Sequence, residues 1–405
     1  MKPLRILFIH QNFPAQFVHV AGELQRRGHE VVALAVRGHP IPGVRFFRYA
    51  PAAPERPSEI DLARDFEVKI ARGRACAAAM GKLEAGGFHP DVVVAHPGWG
   101  EALFCKDVWP RARLVVYAEF FYAPEGSDYG FDPEFSSASD ELRMRLRLKN
   151  TVHLHALAAA DRVYTPTRWQ CSQLPPEFRA KTVVAFDGID TALVRPDPRA
   201  TVRLAREQVQ VTAGDEVITF VNRNLEPYRG FHRFMRALPE ILRRRPAARC
   251  IIVGGDEVSY GAPPPGGGTW REYMLREVGG RLPVERVHFL GRVPYADYVR
   301  LLQLAACHVY LTYPFVLSWS CLEAMSAGAV VVASRTGPVQ EVIEHGRNGL
   351  LFDFFDTDAL TGQVVDVLAN PGSYRAIGRA ARETVVARYD LRAVSLAAQV
   401  AVIAG

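Results

Sequence analysis

Short apolar runs alternate with helix-patterned segments along almost the whole chain, and that alternation leaves little besides parallel sheets flanked by helices. Residues 4–9 are apolar, residues 16–27 carry helical periodicity ended by Gly28, and residues 30–35 form the next apolar run, so the chain opens as βαβ. Further strands are expected at 91–95, 113–117, 162–165 and 182–185, with one long helix over 60–83 and another over 140–160. Arg143, Arg145 and Arg147 alternate near the start of the second helix. That spacing cannot put all three on one helical face, so a solvated, capped helix is expected there. Pro196 and Pro198 mark a linker, after which the pattern restarts with strands at 217–221, 250–253, 287–290, 308–311 and 329–333, and a helix over 230–244. The closing helices span 359–404, and residues 262–268, Ala-Pro-Pro-Pro-Gly-Gly-Gly, read as a mobile surface loop. A length of 405 residues exceeds one ordinary core. The expected fold class is therefore α/β, two Rossmann-like domains with parallel sheets facing across a cleft. Their expected limits are 1–194 and 195–385, with 386–405 as a C-terminal helix packing back towards the first domain.

Composition narrows the function classes. Hydrophobic residues make up 49% and charged residues 23%, which excludes a disordered chain. The six cysteines form no CxxC pair and lie mostly in apolar runs, as buried thiols of a reducing compartment do. No apolar run reaches a bilayer-spanning length and the start reads as a strand rather than a signal peptide, so a cytoplasmic location is expected. The net charge of +6 comes without a nucleic-acid-binding signature, so no nucleic-acid partner is expected. An anionic substrate, or peripheral association with anionic headgroups at the inner face of the membrane, would explain it equally well.

Residues 313–349 narrow the chemistry further. Ser318, Trp319 and Ser320 precede a helix carrying Leu322 and Glu323, and Gly328 ends it. Small residues at such a helix start leave backbone N–H groups free for an anion. Glu323, one turn in, can accept hydrogen bonds from a neighbouring diol; the competing reading is a capped helix with a surface Glu. A second constellation, Asn222-Arg223-Asn224-Leu225-Glu226-Pro227-Tyr228-Arg229-Gly230, follows a strand. Arg223 and Arg229 bracket that loop, and forked guanidinium donors suit a diphosphate; read blandly, both are surface arginines. A third piece is Leu290-Gly291-Arg292-Val293, whose backbone can pair with the edge of a base. In the first domain His10, His96 and Glu119 stand at strand ends, where parallel sheets collect ligands. Residues 123–139 form a long Gly/Pro/aromatic loop that bears on ligand choice.

The order of these motifs resembles family-4 retaining glycosyltransferases of the GT-B fold. The resemblance rests on RGHEV at 27–31, ADRVYTPT from Ala160, DGID at 187–190, NRNLEPYRG, FLGRVP, LEAMSAG and GPVQEVIEHGRNGLLF. It implies that Arg223 and Arg229 hold the donor diphosphate and stabilise its developing charge. Glu323 would take the ribose, Leu290 to Val293 would line the base pocket, and Asn222, Phe315, Leu317, Ser318, Trp319, Ser320 and Leu322 would complete the donor site. His96 and Glu119 are catalytic candidates, and with Gln11, Asn12, Phe13 and Tyr122 they make up the expected acceptor side. Two departures stand out: Phe315 occupies the place, eight residues before Glu323, of a usual Glu, and Glu119 stands where the family often has His.

The expected reaction moves a sugar from a nucleotide-diphosphate sugar to a hydroxyl of a glycan, lipid-linked or small-molecule acceptor, with retention. No cofactor is expected besides the donor as co-substrate, and no metal, since no DxD-like pair accompanies the motifs. Alternatives are an epimerase or phosphorylase on the same fold, or a sugar-nucleotide-binding protein with weakened catalysis. An NAD-dependent oxidoreductase lacks its GxGxxG loop after the first strand.

Overall fold

A computed structural model describes residues 2–51, 58–135, 139–204 and 209–405. The chain divides into two compact units, residues 1–188 with 391–405, and residues 189–390.

The first unit is built on a seven-stranded sheet: β1 (Arg5–Ile9), β2 (Glu30–Ala35), β3 (Arg45–Arg48), β4 (Val92–Ala95), β5 (Arg113–Tyr117), β6 (Arg162–Thr165) and β7 (Thr182–Val184), in the order β3-β2-β1-β4-β5-β6-β7. Every pairing is parallel. Because both faces of such a sheet are covered, its strands read as continuous apolar runs. Ile6 and Phe8 enter one buried cluster, Leu7 and Ile9 the other. The C-terminal helix (Leu396–Ala404) closes the first of these, with Leu396, Val400 and Ile403 packed beside Ile6 and Phe8. Gln399 Nε2 donates to Phe186 O at 2.7 Å, and Arg113 Nη1 to Gly405 O at 2.6 Å, fixing that helix to the unit.

The second unit repeats the topology. Strands β8 (Val217–Asn224), β9 (Arg249–Gly255), β10 (Val287–Gly291), β11 (Cys307–Tyr310), β12 (Val330–Ser334) and β13 (Leu350–Phe352) pair in parallel in the order β10-β9-β8-β11-β12-β13. In both sheets the strand order reverses beside the first strand, between β1 and β4 and between β8 and β11. A parallel sheet opens a crevice at such a reversal.

The structure refines several boundaries. The chain leaves the first unit after Gly188, not at 194, and returns at Leu391 rather than 386. The reason is local: Ile189 N donates to Tyr389 O at 2.9 Å, and Thr191 Oγ1 bonds Asp390, tying both crossings to the second unit. The single helix expected over 140–160 is two, Asp140–Lys149 and Thr151–Ala159. Asn150 breaks it, its amide bonding Tyr122 N at 3.0 Å and Tyr122 O at 2.7 Å. Ser139 caps the first helix through Leu142 N, and Arg145 pairs with Glu141 and Asp61 on an exposed face. Residues 136–138 of the loop over 123–139 lie outside the described residues. No helix among the described residues is long and apolar enough to cross a membrane.

Candidate functional site

At the switch point of the first sheet, the residues just past β1, β4 and β5 converge. His10 and His96 lie with ring centroids 5.1 Å apart, and Trp99 stacks on His96 at 4.5 Å. His96 Nδ1 accepts the Gly98 N–H at 3.1 Å, which leaves its proton on Nε2 to be donated to Glu119 Oε2, also at 3.1 Å. Gln16 Nε2 donates to the other Glu119 oxygen at 2.5 Å, and Gln170 Nε2 to its backbone carbonyl. Burial opposes the Glu119 charge, but His96 and Gln16 outweigh it and hold the carboxyl below its usual range. With 28% of its side chain exposed, the Glu119 carboxylate is within reach of a ligand.

His10 is the reverse. It is buried, its pKa pushed down to about 3 chiefly by desolvation, with Nδ1 accepting the Asn12 N–H at 2.9 Å. Among the described residues its Nε2 and the Gln16 carbonyl, both buried, make no hydrogen bond of normal geometry, although Gln16 still favours the charged form of His10. Gln11 accepts from Arg72, and Tyr122 lies under the Lys149 ammonium at 3.9 Å. Phe13 is different from the other acceptor-side candidates: fully buried and stacked on Phe46, it presents no surface to a ligand.

At the switch point of the second sheet the chemistry is charged. Beyond β8, Pro227–Arg229 form one 3₁₀ turn, and Gly230 turns the chain at φ +65° into the helix Phe231–Arg244. A Cβ on Gly230 would lie 2.3 Å from the Leu311 side chain, so only glycine serves there. The turn buries Arg229 to 5% exposure. Its Nη1 donates to Thr312 Oγ1 at 2.8 Å, Val316 O at 2.9 Å and Tyr310 OH at 3.4 Å, every one a neutral acceptor. No ion pair to Arg229 is formed among the described residues. Burial disfavours its charge, yet Tyr310, Tyr260 and Glu226 more than offset this and raise its pKa.

Tyr260 and Phe315 flank the guanidinium at 5.4 and 5.7 Å, and the two rings meet at 4.9 Å. Glu226 Oε2 holds the loop carrying Tyr260, accepting from the backbone of Ser259, Tyr260 and Gly261 at 3.3, 3.1 and 3.1 Å. Arg223, by contrast, is exposed and has no partner among the described residues.

Glu323 sits in the helix Trp319–Ser326 at 6% exposure. Its oxygens accept from Tyr295 OH at 2.7 Å and Tyr298 OH at 2.6 Å. Burial pushes its carboxyl up despite both hydroxyls. Ser318 caps this helix through Ser320 N, and its own N–H donates to Tyr310 OH at 2.9 Å. Ser320 and Leu317 are buried beside it, and Trp319 is half-buried. Arg292 donates to Asn224 Oδ1 at 3.2 Å and to Glu257; Leu290, Gly291 and Val293 are half-buried near it and Asn222 is buried. Leu322 is a core residue with no exposed surface.

Sequence reasoning missed Gln16, Gln170, Trp99, Tyr295 and Tyr298. Only the tyrosines carried a readable signal, standing three residues apart at a helix start directly after Gly291-Arg292-Val293-Pro294.

Solved structures carry the same two-unit fold. Sucrose-phosphate synthase from Thermosynechococcus elongatus is similar over 97% of each chain, with a TM-score of 0.72 at 18% identity. The Anabaena protein HepE, solved with UDP and glucose, is similar over 98% of each chain, with a TM-score of 0.68 at 18% identity. That likeness defines the class of the fold, GT-B. The description "Glycosyl transferase family 4 group" matches residues 27–194, and "Glycosyl transferases group 1" matches residues 202–384. The chain belongs to the family-4, group 1 glycosyltransferases. A GDP-mannose-dependent α-(1-6)-phosphatidylinositol monomannoside mannosyltransferase of Mycolicibacterium smegmatis is 30% identical over 58% of this chain and 59% of its own length. The chain thus spans less than two thirds of the length of such curated relatives.

Proposed function

We propose that the protein transfers a sugar, with retention, from a nucleotide-diphosphate sugar to a hydroxyl acceptor, with the donor held by the second unit and the acceptor met by the first. One observation carries this reading: Arg229 is a buried guanidinium surrounded by neutral acceptors. A buried charge whose direct partners are all neutral is only partly compensated, with Glu226 acting on it from nearby, and a bound diphosphate would add negative charge in direct contact. Arg223, exposed at the end of β8, adds a second forked donor. Together they would stabilise the charge that builds on the leaving diphosphate, at a place where the donors are already fixed. The leaving phosphate oxygen can itself take the acceptor proton, so the chemistry needs no separate base and no metal.

Glu119, oriented by His96 and Gln16, is the acceptor-side candidate, a carboxylate that can accept a hydrogen bond from an acceptor hydroxyl. Glycan, lipid-linked and small-molecule acceptors share that hydroxyl. UDP and GDP are the first bases to test, because UDP is bound in HepE and the mycobacterial relative is named as GDP-mannose-dependent.

The test uses Arg223→Ala. Exposed and unpaired, Arg223 can be removed without loss of packing, so the melting temperature should stay within a degree or so of wild type while donor turnover falls by roughly 10²-fold or more. Unchanged turnover with any UDP- or GDP-sugar the wild type accepts would remove Arg223 from the reaction.

A further inference from the structure

Each oxygen of Glu323 already accepts one hydroxyl before any ligand arrives, and the two partners differ. Tyr298 is 7% exposed and belongs to the core of the helix Tyr295–Leu304. Tyr295 is 50% exposed, and it is the first residue of that helix, following Gly291 at φ +65° and Pro294. Each tyrosine gives one hydroxyl to one carboxylate oxygen. The pair therefore presents to Glu323 two hydroxyl donors side by side, the arrangement a vicinal diol presents. Tyr298 cannot leave without opening the core. Tyr295 can swing into solvent by a side-chain rotation, and Glu323 then keeps one hydrogen bond while an oxygen is freed.

We infer that Tyr295 is a placeholder for a ribose hydroxyl: its phenol occupies the Glu323 oxygen in the empty protein and is displaced when a ribonucleotide binds. This rests on the reading that Glu323 takes the ribose. The exchange is hydroxyl for hydroxyl on one carboxylate, so both oxygens are hydrogen-bonded before and after it. It also sets a penalty on binding, because every ribonucleotide must first break the Tyr295 bond. A nucleotide lacking both ribose hydroxyls breaks nothing and gains nothing, leaving Tyr295 in place. Tyr295 is thus a specificity-determining residue that acts through Glu323.

The experiment is calorimetric titration of UDP, GDP and their 2′,3′-dideoxy counterparts into wild type and Tyr295→Phe. The substitution keeps the ring and removes only the hydroxyl. The expected result is ribonucleotide binding tightened about three- to tenfold, the worth of one typical hydrogen bond, with dideoxynucleotide affinity unchanged. The ratio of ribo to dideoxy affinity should rise by the same factor. If wild type prefers the ribonucleotide but Tyr295→Phe leaves that affinity unchanged or weaker, the placeholder is overturned while Glu323 keeps its ribose. If Tyr295→Phe, like wild type, binds both forms equally, Glu323 does not hold the ribose, and the placeholder falls with it.

Discussion

The two units carry the same strand order and place their candidate sites at the same topological point, but they fill that point with opposite materials. In the first, the strand ends bring together rings and neutral side chains, His10, His96, Trp99 and Gln16, around one half-exposed carboxylate. In the second, they bring together a buried cation, Arg229, held by hydroxyls and a carbonyl, and a buried acid, Glu323, held by two hydroxyls. The topology therefore fixes where a ligand goes and leaves open what kind. A diphosphate needs fixed positive charge, whereas an acceptor hydroxyl needs an oriented acceptor of modest charge. The division of labour follows from side chains grafted on a shared frame.

The sharpest way to break this contrast is Arg229→Met. It removes the buried guanidinium proposed to face the diphosphate and leaves Tyr310, Thr312 and Val316 without their shared donor. Turnover should fall by roughly 10³-fold. Unlike Arg223→Ala, this change should also lower stability, by about 1–3 kcal/mol for acceptors left unsatisfied. Denaturant unfolding beside steady-state rates checks both. Full activity in a stable Arg229→Met protein would end the electrostatic role of the second unit.

Acid sharpens the contrast through stability. His10 and His153 in the first unit and His308 in the second are buried, and desolvation lowers each pKa from 6.5 to about 3. A base with a depressed folded pKa contributes stability that is full above about pH 6.5 and is lost as the pH falls towards about 3. Glu119 acts in the same direction, while Glu101 in the first unit and Glu323 in the second, with raised carboxyls, act in the opposite one. The first unit should therefore open first, seen by hydrogen exchange at pH 4 against pH 7. His153 contacts Phe121 and Tyr122 edge-on, with Lys69, His96 and Lys149 as the charges that disfavour its protonation. His153→Phe should flatten the acid limb of the first unit and leave that of the second in place. Equal acid lability of both units would show that the histidines do not set it.

How much of this was legible in the sequence follows from the range of each interaction. Strand runs such as the one around Leu7 and Ile9 are readable because burial on both faces imposes an apolar pattern on neighbouring residues. The helix break at Asn150 was not, because its cause is a pair of bonds to Tyr122, 28 residues away. The same holds at the sites. Arg229 and Glu323 announce themselves within short motifs. Gln16 meets Glu119 across 103 residues and Tyr295 meets Glu323 across 28, so only the folded chain pairs them. Motif membership does not say which way a side chain points, and those of Phe13 and Leu322 are buried in the core.

The smallest effect should come from Gln16→Leu, and it tests whether the first-unit cluster acts through the charge on Glu119. Gln16 donates to one oxygen of Glu119 while His96 donates to the other, and the buried Gln16 carbonyl makes no hydrogen bond of normal geometry among the described residues. Leucine removes that carbonyl along with the donor, so stability should be nearly unchanged. Losing one donor to the ionised form raises the Glu119 pKa, because that hydrogen bond is among the causes that now lower it. Turnover at neutral pH should fall only about three- to tenfold. The acidic limb of the rate profile should move to higher pH, since the carboxylate protonates earlier as pH falls. Nucleotide affinity should not change, because Gln16 and the proposed donor residues belong to different units. A pH–rate profile paired with a UDP or GDP titration separates the outcomes. A loss of nucleotide affinity in step with turnover would mean that the division between a neutral acceptor side and a charged donor side is drawn in the wrong place.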